Sequence, residues 1–241
     1  MRLVEESLTP LYQQLMEDIK CAIEEGRYQP EEKIPSEPEL SELYSVSRIT
    51  VRRAVDELCA QGYLVKKQGK GTFVGHAKLQ RKLMGNDSMS FTDVCKLNGQ
   101  VHSVRILTHK RVPARKDEIK FLDLEPDATL LYVQRLHMAD GIPIQIENNF
   151  FPPDQYEFLQ QEDLERNSLF HILREKYGID PCGTSDTTVE IVRASPEYAE
   201  LLDVPVGEPL FYMNAYFVDE KQRPLFVGRQ YIVGKRYVLH I

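Results

Sequence analysis

Cysteine is scarce in this chain, and its spacing excludes two kinds of cysteine-based framework. The chain has four cysteines, Cys21, Cys59, Cys95 and Cys182, and no C-x-x-C pair. This spacing predicts neither a disulfide-stapled domain nor a zinc site and favours reduced thiols. No apolar run approaches the roughly 18 residues that a membrane span requires. The first six residues lack the apolar core of a signal peptide, so we expect a cytoplasmic protein without a membrane partner.

Motifs of common enzyme and metal sites are missing as well. The sequence contains neither a Walker-type phosphate loop nor a G-x-S-x-G nucleophile elbow. Its six histidines are scattered at spacings unlike those of a histidine metal site. We therefore expect no catalytic residue, no metal and no cofactor.

Length and charge indicate a two-domain protein with a local basic region. The 241 residues exceed the usual size of one domain, and 42% of them are apolar. Residues 1–47 hold 4 basic and 11 acidic side chains, whereas residues 48–82 hold 9 basic and 2 acidic ones. The overall charge of -7 thus conceals a positive segment, and local positive potential is what attracts phosphate.

The basic segment begins with an amphipathic helix that Ser47 can cap. Apolar residues recur at the spacing of one buried helix face, at Val51, Ala54, Val55 and Leu58. The remaining faces carry basic and hydroxyl side chains, at Arg48, Thr50, Arg52 and Arg53. Two short strands follow at 63–67 and 71–74, around a Gln68-Gly69-Lys70 turn. A basic helix beside a basic hairpin predicts a winged helix-turn-helix.

Two scaffold helices are predicted upstream of this helix. Residues 10–25 place Leu11, Leu15 and Ile19 on one face. The segment Ser36-Glu-Pro-Glu39 is a capping box with proline in the first turn, so we expect a second helix to begin there.

The N-terminal third resembles the DNA-binding domain of GntR-type bacterial transcription regulators. The resemblance rests on four ordered segments, Pro10-Leu-Tyr12, Lys33-Ile-Pro-Ser-Glu37, Val46 to Ala54 and Gln68 to Val74. Pro38 departs from it, because many relatives carry there an arginine that contacts the DNA backbone. The resemblance implies that operator DNA is contacted from the helix and the wing, by Ser47, Arg48, Thr50, Arg52, Arg53, Gln68, Gly69 and Lys70.

The rest of the chain changes character after a segment without periodicity. We expect a DNA-binding domain at 1–75, a linker at 76–88 and a second domain at 89–241. Runs rich in branched and aromatic residues predict strands at 101–112, 129–139, 142–151, 187–193, 209–219 and 224–233. Helices are predicted at 169–177 and 195–202. The second domain is therefore expected to be α+β.

This strand content favours the HutC-type group of GntR regulators over the group with an all-helical second domain. The chain resembles the UTRA domain of that group, which has a chorismate-lyase-like fold. The resemblance rests on the segments Ser90-Phe-Thr92, Arg135-Leu-His137, Asp140-Gly-Ile-Pro-Ile144, Glu147, Ser168-Leu-Phe170, Leu202-Asp-Val204, Pro224 and Gly234-Lys-Arg-Tyr237.

The UTRA resemblance implies a site for a small-molecule effector. The implied positions are Ser90, Phe91, Thr92, Arg135, His137, Glu147, Ser168, Phe170 and Tyr231. Their chemistry suits an anion, because helix starts and an arginine fork bind phosphate or carboxylate, and a sugar phosphate fits best. His137 replaces a second arginine of several relatives, and Phe226 stands where some amino-sugar binders have glutamate. Both departures favour a smaller or less charged effector.

The geometry of one predicted hairpin decides whether Arg135 and Glu147 can act together. A two-residue loop at Asp140-Gly141 sets residue 134 opposite Glu147, so Arg135 and Glu147 face opposite sides of the sheet. A three-residue loop sets Arg135 opposite Glu147. Even then, an arginine in a half-buried strand is often a structural ion pair instead of a ligand-binding group.

These expectations combine into an effector-responsive transcription regulator, a homodimeric repressor that binds a pseudo-palindromic operator in double-stranded DNA. An enzyme of chorismate-lyase-like fold and an architectural DNA-binding protein without effector are the alternatives.

Overall fold

The computed structural model describes residues 9–75, 78–82 and 89–240. The chain divides into two compact units, Met1–Lys78 and Leu79–Ile241. Of the linker predicted at 76–88, residues 76–77 and 83–88 lie outside the described residues. The linker prediction is corrected at 79–82, because these residues form a strand of the second unit.

Residues 9–75 fold into helices followed by a hairpin. The elements are α1, Leu11–Glu24; α2, Glu37–Tyr44; α3, Arg48–Ala60; β1, Leu64–Lys67; and β2, Gly71–Val74. The strands pair antiparallel, as a wing requires. The predicted capping box of α2 is confirmed, since the Ser36 backbone N–H donates to Glu39 Oε2 at 2.7 Å.

The predicted buried face of α3 is also confirmed. Val51, Ala54, Val55 and Leu58 are all buried in one apolar cluster with residues of α1, α2 and both wing strands. Burying this stripe fixes the rotation of α3, so its basic residues remain at the surface.

The second unit contains a central antiparallel sheet and a short parallel strand pair. Its strands are β3, Leu79–Lys82; β4, His102–Pro113; β5, Thr129–Ala139; β6, Ile142–Phe151; β7, Gly183–Arg193; β8, Pro209–Val218; β9, Pro224–Val233; and β10, Tyr237–His240. The central sheet has the order β4-β5-β6-β9-β8-β7, and β3 pairs in parallel with β10. All six strands predicted from the sequence are present, although β7 begins before the predicted residue 187.

Helices cover both faces of the central sheet. They are α4, Phe91–Leu97; α5, Lys116–Leu122; α6, Pro153–Tyr156; α7, Leu169–His171; and α8, Pro196–Leu202. The predicted helix at 169–177 is α7 continued by a π-helical segment, Ile172–Lys176. We call the side packed by α4, α6 and α7 the α4 face and the side packed by α5 and α8 the α8 face. This α+β architecture agrees with the predicted fold class.

A membrane-spanning helix and a metal site each have structural requirements, against which the described residues can be compared. None of the helices in these ranges is long and apolar enough to cross a membrane. No group of three or more His, Cys, Asp or Glu side chains in these ranges is placed to hold a metal ion.

Candidate functional sites

The start of α3 carries a tightly bonded pair of hydroxyl residues. Ser47 caps the helix, because its Oγ accepts the Thr50 backbone N–H at 3.1 Å. The Ser47 and Thr50 hydroxyls also hydrogen-bond each other at 2.8 Å. Next to them Arg48 and Ile49 are exposed, and Ile49 is 82% exposed. The predicted contact residues thus share an open surface with an apolar residue that the sequence reading assigned no role.

An acidic residue beside this surface orients two of its cations. Glu37, at the start of α2, accepts from Arg52 Nε at 3.1 Å and from Lys66 Nζ at 3.4 Å. Lys66 also donates to Asp56 at 2.7 Å. Sequence reasoning treated Glu37 only as part of the capping segment, because its cationic partners lie 15 and 29 residues away in the chain.

The remaining predicted DNA contacts lie on either flank of α3. The Arg53 guanidinium stacks over the Tyr12 ring of α1, 3.8 Å from its centroid. The turn residues Gln68, Gly69 and Lys70 are all exposed at the tip of the wing. Gly69 has a φ of +70°, which a glycine adopts without strain.

In the second unit, an irregularity of the β5–β6 hairpin brings Arg135 opposite Glu147. The loop has two residues, since Ala139 pairs with Ile142, yet Arg135 pairs with Glu147. The register shifts between His137 and Met138, where one extra residue of β6 is accommodated next to Pro143. Proline has no N–H for the sheet, so a bulge at this point is physically favoured. The two-residue loop is therefore present, and the bulge supplies the extra residue that sets Arg135 opposite Glu147.

Arg135 and Glu147 form a buried ion pair on the α4 face. Their side chains are 4% and 9% exposed. Arg135 Nε donates to Glu147 Oε2 at 3.0 Å, and Arg135 Nη2 donates to the same oxygen. Burial alone would raise the pKa of Glu147, but the positive charge of Arg135 and the hydrogen bonds from His137 and Arg135 hold that pKa well below its usual range. Glu147 is therefore a carboxylate at neutral pH.

A chain of histidines extends from this ion pair. His137 Nε2 lies 3.2 Å from Glu147 Oε2, and His137 Nδ1 lies 3.0 Å from His102 Nε2. His102 Nδ1 in turn lies 3.1 Å from the Thr92 hydroxyl. Burial lowers the pKa of His137, and burial with the nearby His137 lowers the pKa of His102 to about 4. Both rings are therefore neutral at neutral pH.

These groups line a narrow pocket on the α4 face, with a cavity volume of about 20 Å³. Eight of the nine predicted effector residues lie along it, namely Ser90, Phe91, Thr92, Arg135, His137, Glu147, Ser168 and Phe170. The sequence reading missed Arg81 and Gln230, which also line it. The sequence carries no clear signal for Arg81, because the four residues of β3 are too few to predict a strand. Gln230 pairs with Glu147 in the sheet and so shares its face.

The two serines of the pocket differ in what they can offer a ligand. The Ser90 hydroxyl caps α4 and donates to Asp93 Oδ2 at 2.6 Å. The Ser168 hydroxyl, at the start of α7, makes no hydrogen bond to any residue that the structure describes. Ser168 is therefore the free hydroxyl at this end of the pocket.

Tyr231 does not belong to this pocket, which corrects the prediction. Side chains alternate along a strand, so Gln230 on the α4 face places Tyr231 on the α8 face. There it packs against Tyr198 and Tyr212, with ring centroids 4.7 and 4.9 Å apart. It lines a separate groove with Tyr132.

Family models match both units. The model described as "Bacterial regulatory proteins, gntR family" matches residues 11–74, and the UTRA domain model matches residues 97–238. The uncharacterized HTH-type transcriptional regulator YurK of Bacillus subtilis is 32% identical over 91% of this chain and 90% of its own. The probable fructoselysine utilization operon transcriptional repressor of Escherichia coli K12 is 30% identical over 95% of this chain and 91% of its own. The crystal structure of PhnF from Mycobacterium smegmatis superposes with a TM-score of 0.64 at 23% identity, over 95% of this chain and 96% of that one.

Proposed function

This chain belongs to the GntR family of bacterial transcription regulators and carries the UTRA domain of its HutC-type members. From this family membership we propose how the chain binds DNA, a small-molecule effector and a second copy of itself. It is a repressor whose activity responds to a metabolite. Its first unit binds an operator in cytoplasmic DNA, and its second unit binds a small anionic effector, with a sugar phosphate as the first candidate.

The DNA contacts proposed for α3 and the wing are supported by their common exposure. An arginine at Arg48 or Arg52 can reach guanine O6 and N7 bidentately, while Gly69 lets the wing backbone approach a narrow groove. Ile49 adds an apolar contact, because an exposed aliphatic side chain on such a helix fits the methyl group of thymine. Ser47 and Thr50 then present hydroxyls that are already fixed by the helix cap.

We expect Arg48→Ala and Arg52→Ala each to lower operator affinity by about 1–3 kcal/mol while leaving the fold intact. Arg27→Ala is the matched control, since Arg27 is an exposed arginine of the same unit paired with Glu25. Gel-shift titration at fixed salt measures the effect. Wild-type affinity in both α3 variants would contradict the assignment.

Glu37→Gln tests the same surface in the opposite direction. The substitution removes a negative charge beside Arg52 and Lys66, so affinity for DNA should rise and depend more steeply on salt concentration. An unchanged salt dependence would place these three side chains away from the DNA.

The pocket on the α4 face is the proposed effector site. Its cations, the free Ser168 hydroxyl and the carboxylate of Glu147 suit a small anion that also carries hydroxyl or amine donors. A catalytic role is less well supported, because a general base works best with a pKa near the working pH, and the pKa of Glu147 lies far below it. A thermal-shift screen of sugar phosphates, fructoselysine and organic acids tests the proposal. A ligand at one hundred times its Kd should add about 2.7 kcal/mol of stability.

The exposed edge strand β7 supports a dimer held through the second unit. This strand lies at the edge of the sheet, and ten of its eleven residues are not buried. Val189 and Ile191 are 42% and 74% exposed. Unpaired N–H and C=O groups of such an edge pair readily with another strand. A symmetric dimer also matches a pseudo-palindrome with half-sites about one helical turn apart.

We expect residues 79–241 alone to sediment as a dimer and Ile191→Lys to shift that fragment toward monomer. The fragment begins at Leu79 because β10 requires β3 as its partner. Thr188→Lys is the control, since it adds the same single positive charge at an exposed residue on the other face of β7. A monomeric wild-type fragment would contradict the proposal.

A further inference from the structure

One basic side chain of the proposed effector pocket lies buried without a counter-ion among the residues that the structure describes. Arg81 of β3 is 8% exposed and lines the pocket together with Arg135 and Glu147. Its Nη2 donates to the Met89 carbonyl at 3.3 Å, and its buried Nε has no hydrogen-bond partner in the described part of the chain. Within residues 9–75, 78–82 and 89–240, no carboxylate is paired with it. A buried charge is strongly unfavourable unless an opposite charge or hydrogen bonds compensate it.

The other charges of the pocket do not compensate Arg81. Glu147 shares its Oε2 with Arg135 and His137, so its negative charge is already balanced by Arg135. His102 and His137 are neutral at neutral pH, because burial lowers both of their pKa values. Among the described residues, the uncompensated positive charge of the pocket therefore resides on Arg81, and not on Arg135, whose Nε and Nη2 are bound to Glu147.

We propose that Arg81 is the primary anion-binding residue of the pocket and holds the phosphate or carboxylate of the effector against the free Nη1 of Arg135. The inference rests on the proposed function, since it names the charge and the ligand contact of that same site. Gln230 extends it to the rest of the ligand. Its buried Oε1 has no partner among the described residues and can accept from a hydroxyl or amine of the effector. The ligand class is thus a hydroxylated or aminated organic anion.

The position of Arg81 in the chain connects anion binding to the DNA-binding unit. Arg81 lies in the first strand of the second unit, three residues after Lys78. That strand has four residues and is held by parallel pairing with β10. An anion shared by Arg81 and Arg135 ties β3 to β5 of the central sheet. Effector binding thereby holds β3 in place, and β3 is the first strand after the wing in the chain. It therefore favours one arrangement of the DNA-binding units over others.

The test compares wild type, Arg81→Met and Lys82→Met as full-length chains in thermal unfolding. Methionine keeps most of the length of Arg81 without its charge, and Lys82 is an exposed cation on the same strand. In chloride buffer, Arg81→Met should melt above wild type, because it removes an uncompensated buried charge. Inorganic phosphate and glucose 6-phosphate should raise the melting temperature of wild type and Lys82→Met. In Arg81→Met their affinity should fall about thirtyfold or more.

Three results would overturn the proposal. They are a lower melting temperature of Arg81→Met in chloride, an equal response of all three proteins to both anions, and no response of wild type to either anion. The proposed function is tested separately, by a gel-shift assay of the wild-type protein on operator DNA. Failure to bind DNA would contradict the regulator model and leave the melting comparison valid, whereas normal DNA binding with an unaltered anion response in Arg81→Met would reject only the role of Arg81.

Discussion

Replacing Glu147 with leucine is expected to lower the free energy of unfolding by about 3–5 kcal/mol, because it leaves the guanidinium of Arg135 buried without its counter-ion. Arg135 is 4% exposed at its side chain, so water cannot take over the role of the carboxylate. His137 loses a hydrogen-bond partner in the same substitution. Urea unfolding followed by circular dichroism measures the change, with the slope of the transition checked for two-state behaviour.

The exposed pair of Arg111 and Glu157 is the matched control. Its atoms lie 2.7 Å apart, but its side chains are 54% and 55% exposed. Glu157→Leu should therefore change the free energy of unfolding by less than about 1 kcal/mol. If Glu147→Leu were equally mild, the ion pair would not persist in solution, and Arg135 would be free to bind a ligand directly.

The winged helix could be predicted from sequence because its signals are local. The caps at Ser36 and Ser47 and the apolar stripe of α3 each depend on residues within a few turns of one another. The long strands of the second unit were predictable for a similar reason, since their branched and aromatic runs are bounded by turn residues. Sheet order was not predictable, because pairing such as β6 with β9 joins segments far apart in the chain.

The sequence placed eight of the nine predicted effector residues in what proves to be one pocket, but it did not predict the electrostatics of that pocket. Resemblance placed Arg135 as the anion-binding fork, whereas the structure pairs it with Glu147. That pairing depends on the bulge near Pro143, which moves the register by one residue and so changes which side chains share a face. Arg81 escaped prediction because its strand is four residues long and derives its stability from β10 at the other end of the chain.

For Tyr231, the sequence could not show which face of the sheet the side chain occupies. Its aromatic and hydroxyl character suited a ligand contact, but the choice between Gln230 and Tyr231 depends on the phase of β9 relative to its neighbours. Gly228 lies on the α4 face, where a Cβ would come within 2.8 Å of the Phe217 ring. A residue two positions along, Gln230, consequently faces the pocket, and Tyr231 faces the opposite groove.

Removing both members of the ion pair should separate its structural role from its role in the response. The double variant Arg135→Met, Glu147→Leu leaves no unpaired buried charge, so we expect its free energy of unfolding to be close to that of wild type. It should lie far above that of Arg135→Met alone, which leaves the carboxylate of Glu147 unpaired. Operator affinity should also stay near wild type, since the substitutions lie in the second unit. The response to effector should nevertheless be lost, because the anion lacks its second cation and its donors lack the carboxylate of Glu147.

The measurement titrates the metabolite found in the thermal-shift screen against a preformed operator complex of the double variant. The concentration that changes DNA binding by half should rise about a hundredfold or more relative to wild type. An effector shifts this equilibrium only through contacts that differ between the two arrangements of the DNA-binding units, so a lost contact must appear as a lost response. A double variant that is stable, binds operator and responds at wild-type concentrations would make Arg135 and Glu147 purely structural and leave Arg81 as the cation that reads the effector.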